Sequence, residues 1–201
     1  KNFLPPIIYN KLKLLLGKKG TYFNGGYKSW DDSLVQSKGY DDKDILKKVL
    51  NSTLKVKSGE IAYERDGILF DRIEYSWQVL TGIVWVAARN SGRLCVLDMG
   101  GSLGTTYFQN SRFLNKINLS SWNIVEQEHY VLAGKTYIQD EILRFHDSIE
   151  NCLNECVPNV VLISSSLQYM QEHSAVLESL SRIGADPMII DSSPVNNSKP
   201  N

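Results

Sequence analysis

Apolar positions along this chain change their rhythm near residue 90. Before it, helical spacing dominates. Ile45, Leu46, Val49, Leu50 and Leu54 form one stripe opposite Lys47, Lys48 and Lys55, which predicts a helix over 42–54. Trp77, Val79, Leu80, Ile83, Val84 and Val86 predict a buried helix over 75–88, broken at Asn90-Ser91-Gly92. Shorter helices are expected at 5–16, opened by Pro5-Pro6 and ended by Gly17 and Gly20, and at 32–37. Between them, 21–30 is a turn-rich aromatic stretch around Asn24-Gly25-Gly26, and 60–70 is polar with a turn at Asp66-Gly67.

After residue 90, short apolar runs alternate with helical segments. Strands are predicted at 94–98, 122–126, 143–145, 160–164 and 187–191. Helices are predicted at 103–114, 148–155 and 168–183, with a helix or turn at 129–133. Alternation of this kind implies an α/β fold: a Rossmann-like, doubly wound, mostly parallel sheet with helices on both faces. Residues 91–201 would form that ligand-binding domain, and 1–90 a mainly helical and aromatic extension packing on it.

Composition narrows the function classes. Of 201 residues, 42% are hydrophobic and 22% charged, ordinary for a globular chain. Lys+Arg and Asp+Glu both count 22, so the basic footprint of a nucleic-acid binder is missing. No apolar run reaches the roughly 18 residues a transmembrane helix needs. Residues 1–20 carry five lysines among apolar positions. That pattern suits either peripheral contact with a membrane surface or a helix packed on its own domain. Cys95, Cys152 and Cys156 lack zinc-type pairing and fit a reducing, cytoplasmic setting.

The chemistry concentrates at Val96-Leu97-Asp98-Met99-Gly100-Gly101-Ser102-Leu103-Gly104. A strand, a glycine-rich turn and a helix, in that order, present a nucleotide-sized ligand at the carboxyl edge of an open sheet. Asp98 at the strand end opposes phosphate and suits a cationic ligand, which favours S-adenosyl-L-methionine over a dinucleotide. Glu126 follows Gly104 by 22 residues, the offset at which an acid accepts hydrogen bonds from ribose. Gln127 comes next, Asp147 follows the third strand where adenine would be read, and Ser164 ends the fourth. On the acceptor side by strand order stand Gln168, Tyr169 and Asp191, the candidate catalytic residues. His129, His146 and His173 read as surface or structural residues.

These residues resemble a family. Asp98-x-Gly100-x-Ser102-x-Gly104 looks like the first motif of class I S-adenosylmethionine-dependent methyltransferases, with Ser102 in place of the middle glycine. More closely, the chain is similar to a methyltransferase subfamily associated with bacterial surface-polysaccharide gene clusters. That similarity runs through 25–30, 39–41, 70–77, 97–104, 122–127 and 164–169. It implies that Gly100, Gly101, Ser102 and Gly104 line the methionine and adenosine moieties, with Asp98 near the amino end. It further implies that Glu126 holds the ribose and Asp147 the adenine. The acceptor would be a small molecule or glycan. The family sheet has strands beyond the fifth, which this sequence does not reach. Two other classes compete with an enzyme: a non-catalytic Rossmann-like nucleotide-binding or protein-interaction module, and, less well supported, an NAD-dependent reductase.

Overall fold

In the computed structural model residues 27–36 and 43–193 are described, and strand β3 (Arg93–Met99) is the axis on which most of them are layered. Its alternation decides the architecture. Leu94 and Val96 point into one apolar cluster, while Leu97 points into another on the opposite face. A strand buried on both faces belongs inside a parallel sheet covered on two sides.

The neighbours bear this out. For the remaining strands we number hairpin strands β1 (Tyr63–Arg65) and β2 (Ile68–Phe70), then β4 (Asn118–Val125), β5 (Leu143–His146), β6 (Val160–Ser164) and β7 (Met188–Asp191). The sheet runs β5-β4-β3-β6-β7, every pairing parallel. On one face, the core joins α2 (Lys43–Lys57), α3 (Trp77–Arg89), α4 (Thr105–Leu114) and α5 (Glu128–Ala133) through Val49, Ile83, Leu114 and Val131. The other face is covered by α6 (Ile149–Glu155) and α7 (His173–Ser181), through Cys152 and Leu180. This is a Rossmann-like α/β arrangement.

The chain divides between Lys38 and Gly39 into two compact units, so residues 43–90 share a unit with the sheet. In the first unit, helix α1 (Trp30–Gln36) starts where Ser29 Oγ accepts the Asp32 N–H at 3.1 Å. The helix expected at 5–16, its membrane reading, and most of the aromatic stretch at 21–30 lie outside the described residues. Among the described residues, no helix is long and apolar enough to cross a membrane.

Several elements differ from expectation. The polar stretch before residue 70 is a hairpin. Its turn residues Asp66 and Gly67 both have positive φ, 52° and 72°, as a two-residue hairpin turn demands. Helix α5 runs on into a π-helical turn (Gly134–Ile138), where Gly134 lets the backbone lie against the Phe145 ring; a Cβ there would sit 2.5 Å from Cδ1. In place of one helix over 168–183, a 3-10 turn (Leu167–Tyr169) precedes α7. Helix α3 is buried on one side only: Trp77 and Trp85 remain 59% and 49% exposed.

Candidate functional site

Strand order places the site. The chain leaves β3 toward β4 on one side and returns to β6 on the other, so the carboxyl ends of β3 and β6 flank the point where winding reverses. Open parallel sheets bind ligands in that crevice. Here it is a cavity of about 600 Å³, within the size range of small-molecule sites. Residues at the carboxyl ends of all five parallel strands line it: Gly100 to Ser102 after β3, Glu126 and Gln127 after β4, and Asp147 after β5. Ser164 to Ser166 and Tyr169 come from the β6 end, and Asp191 and Ser192 from the β7 end.

The floor is the glycine turn. Gly100, Ser102 and Gly104 take left-handed φ values of 72°, 55° and 98°. At Gly100 the conformation is combined with close packing, since a Cβ would stand 2.4 Å from Ser166 Cβ. Ser166 Oγ donates to the Met99 carbonyl at 2.6 Å, and the Gly100 N–H donates to the Val125 carbonyl at 2.9 Å. The loops after β3, β4 and β6 are thereby laced together. Gly100→Ala should therefore cost about 2 kcal/mol, from left-handed strain plus displacement of Ser166. Urea unfolding followed by circular dichroism measures it, and a loss under about 0.5 kcal/mol would show that the turn has slack.

Glu126 connects turn and wall. Its Oε1 accepts the Ser102 N–H at 3.0 Å and its Oε2 the Gln127 N–H at 2.9 Å. Burial pushes its carboxyl up, and the two amides partly offset this. Asp147, exposed after β5, accepts from Asn151 Nδ2 at 2.5 Å, which holds its carboxyl below the usual range. At the far edge, Asp191 Oδ2 accepts from Ser164 Oγ at 3.3 Å and Ser192 Oγ at 3.1 Å. Tyr169 is 58% exposed on the wall.

Three sequence candidates stand off the wall. Asp98 shares the face of Leu94 and Val96 and turns into the core, 1% exposed, where Trp122 Nε1 donates to its Oδ2 at 3.0 Å. Its Oδ1 has no hydrogen-bond partner among the described residues, and burial pushes its carboxyl up to about 7. It supports the turn from below, since a Cβ on Gly101 would fall 2.5 Å from Oδ2. Gly104 caps α4 rather than lining the cavity. Gln168 folds back on its own loop, Nε2 donating to the Ser165 carbonyl at 2.8 Å. None of the three histidines lines the cavity. His146, 3% exposed, lies 3.3 Å from Asn123 Oδ1 through Nε2, and burial lowers its pKa.

Of the opposite wall, the sequence offered only Tyr75, which with Trp77 could either cover a cofactor or pack a buried helix; Tyr75 lines the cavity and Trp77 does not. That wall comes from Val49, from the hairpin residues Tyr63, Arg65 and Asp66, from Glu74 to Ser76, and from the first turns of α4. Among the described residues on the wall, Arg65 is the one cation against five acids: Asp66, Glu74, Glu126, Asp147 and Asp191. The hairpin part of this wall was signalled in the sequence only by the Asp66-Gly67 turn. Set beside family models, curated proteins and solved structures, the chain matches none.

Proposed function

We propose that this chain is an S-adenosyl-L-methionine-dependent methyltransferase acting on a hydroxyl of a small-molecule or glycan acceptor. One observation carries the reading. Glu126, one strand over from the glycine turn, lines the same cavity as Gly100 to Ser102, and among the described residues that wall is acidic, with five carboxylates to one guanidinium. A cationic sulfonium ligand without phosphate suits such a wall. Gly100 and Gly101 let the turn pack directly on Ser166 and Asp98, which fixes the main chain that lines the cavity.

In this reading Glu126 receives the ribose hydroxyls and Asp147 the adenine side. When bound, the cofactor supplies an electrophilic methyl group. The chain holds the acceptor and takes its proton. Asp191, oriented by Ser164 and Ser192, is the candidate base, and Tyr169 flanks it. A positioned base typically contributes about 10²–10⁴-fold. The acceptor class rests on the resemblance to surface-polysaccharide methyltransferases.

Calorimetry with S-adenosylhomocysteine tests this. Glu126→Ala should weaken binding at least tenfold, as expected for losing about 1.4 kcal/mol or more of hydrogen bonding. Asp98→Ala should weaken it indirectly, through the turn. Affinity unchanged in both variants would sink the assignment.

A further inference from the structure

Three donors at this cavity, a turn amide, a hydroxyl at a helix start and a guanidinium, each face one of the chain's own carboxylates. A glycine turn followed by a helix N-terminus is ordinarily an anion site, because the first backbone N–H groups of a helix have no partners within it. Helix α4 has that design. Gly104 precedes it without a side-chain cap, and Thr105 and Thr106 open onto the cavity. Yet the Thr105 hydroxyl donates to Glu64 Oε1, and Glu64 is itself 1% exposed behind that first turn.

Glu64 arrives there by design of the hairpin. The Asp66-Gly67 turn aims the Gly67 N–H back at Glu64 Oε2, 3.0 Å away, and fixes the carboxylate against α4. The same theme recurs twice. In the turn, the Ser102 N–H is taken by Glu126 at 3.0 Å. On the wall, Arg65 Nη2 lies 3.7 Å from Glu74 Oε2, and its Nε donates to Tyr63 Oη at 3.2 Å. A turn amide, the first hydroxyl of the helix and the guanidinium thus each face a carboxylate of the protein.

We propose that Glu64, seconded by Glu74, is a specificity-determining residue that excludes phosphate from this cavity. Its carboxylate offsets the attraction of the α4 N-terminus for anions; burial pushes its carboxyl up, so the charge develops toward alkaline pH, where it is poorly screened. An adenosine ligand that is neutral or cationic enters; one bearing a diphosphate meets these paired groups and, among the described residues of the wall, a surplus of carboxylates. The inference rests on the adenosine reading above and adds which adenosine ligands are refused and by which side chain.

Titration calorimetry with S-adenosylhomocysteine, adenosine and ADP at low salt and mildly alkaline pH provides the test. The wild-type chain should bind S-adenosylhomocysteine at least 30-fold more tightly than ADP, a margin of about 2 kcal/mol. Glu64→Gln keeps the shape and removes the charge, and should narrow that ratio about tenfold. Glu74→Gln alters a side chain 61% exposed, leaves folding intact, and should narrow it a few-fold by releasing Arg65. If Glu64→Gln does not fold, Glu74→Gln alone decides. A ratio unchanged in the folded variants, with S-adenosylhomocysteine still bound, overturns phosphate exclusion and leaves the methyltransferase reading standing. Wild-type protein that binds ADP as tightly as S-adenosylhomocysteine overturns it as well. Failure of the wild type to bind either S-adenosylhomocysteine or adenosine removes both.

Discussion

Trp122→Ala should lower the unfolding free energy by about 4 kcal/mol, near the upper part of the range for deleting a buried Trp side chain. Two losses combine. The indole is wholly buried, in edge-to-face contact with Tyr107 at a centroid distance of 5.8 Å, and its removal leaves a large hole between β4 and α4. It also donates the hydrogen bond to Asp98 Oδ2, so the variant would strand an acid already lacking a hydrogen-bond partner at Oδ1 among the described residues. Trp122→Phe separates the terms: most volume stays, the N–H goes, and a loss of about 1–2 kcal/mol is expected. Urea unfolding of the three proteins gives both values. A loss below about 2 kcal/mol in Trp122→Ala would mean that neither packing nor the Asp98 contact carries the weight assigned to it.

Asp98→Asn should change how stability depends on pH, by a similar amount. Burial drives the Asp98 carboxyl up from 3.8 to about 7, the reverse of the shift in a salt-bridged acid. The folded protein therefore keeps a proton that the unfolded chain releases. Below the unfolded value both states are protonated and the group costs nothing. As pH climbs from about 4 to about 7 the unfolded chain ionises first and stability falls; above about 7 the loss is complete. A shift of about three pKa units corresponds to roughly 4 kcal/mol. Asparagine still accepts from the Trp122 indole and does not titrate. Between pH 4.5 and 7.5 the variant's stability should thus fall less than that of the wild type, by about 3 kcal/mol, since part of the loss lies outside that window. Glu64 and Glu126, also raised by burial, contribute with the same sign in both proteins and cancel in the comparison. Parallel curves would show that Asp98 is ionised in the folded state.

Both experiments probe the motif residue whose placement departs most from its expected role. As a letter in a glycine motif, Asp98 suggested a carboxylate facing a cationic ligand. In the fold it shares a strand face with Leu94 and Val96, and Trp122 from the next strand closes over it. Its effect on any ligand passes through Gly101 above it. Glu126 was read more directly, because it sits just past the strand end, where side chains leave the sheet and meet the crevice.

The hairpin wall was hidden for a local reason. Strands β1 and β2 are three residues each, too short to show a period, and Glu64 is a buried acid where patterning expects a polar surface. The loop after β6 was misjudged for a non-local one. Helical propensity favoured a helix from 168, but Ser165 takes a φ of 57°, Ser166 bonds to Met99, and Gln168 turns back to Ser165. These contacts with the β3 loop outweigh propensity, and the helix starts at His173.

The linear pattern alone determined the five parallel strands, most of the helices between them, the glycine turn at 100–104 and the acid one strand later. Each depends on hydrophobic period or on backbone freedom at a few residues, and both are local properties. Tertiary structure decided which carboxylates face the cavity and which are spent inside the protein. Asp98 is paired by Trp122, Glu64 by Thr105 and Arg65 by Glu74, partners 24, 41 and 9 residues away. A charge takes its role from whatever the fold brings within hydrogen-bonding distance of it, and no local window of sequence contains that neighbour.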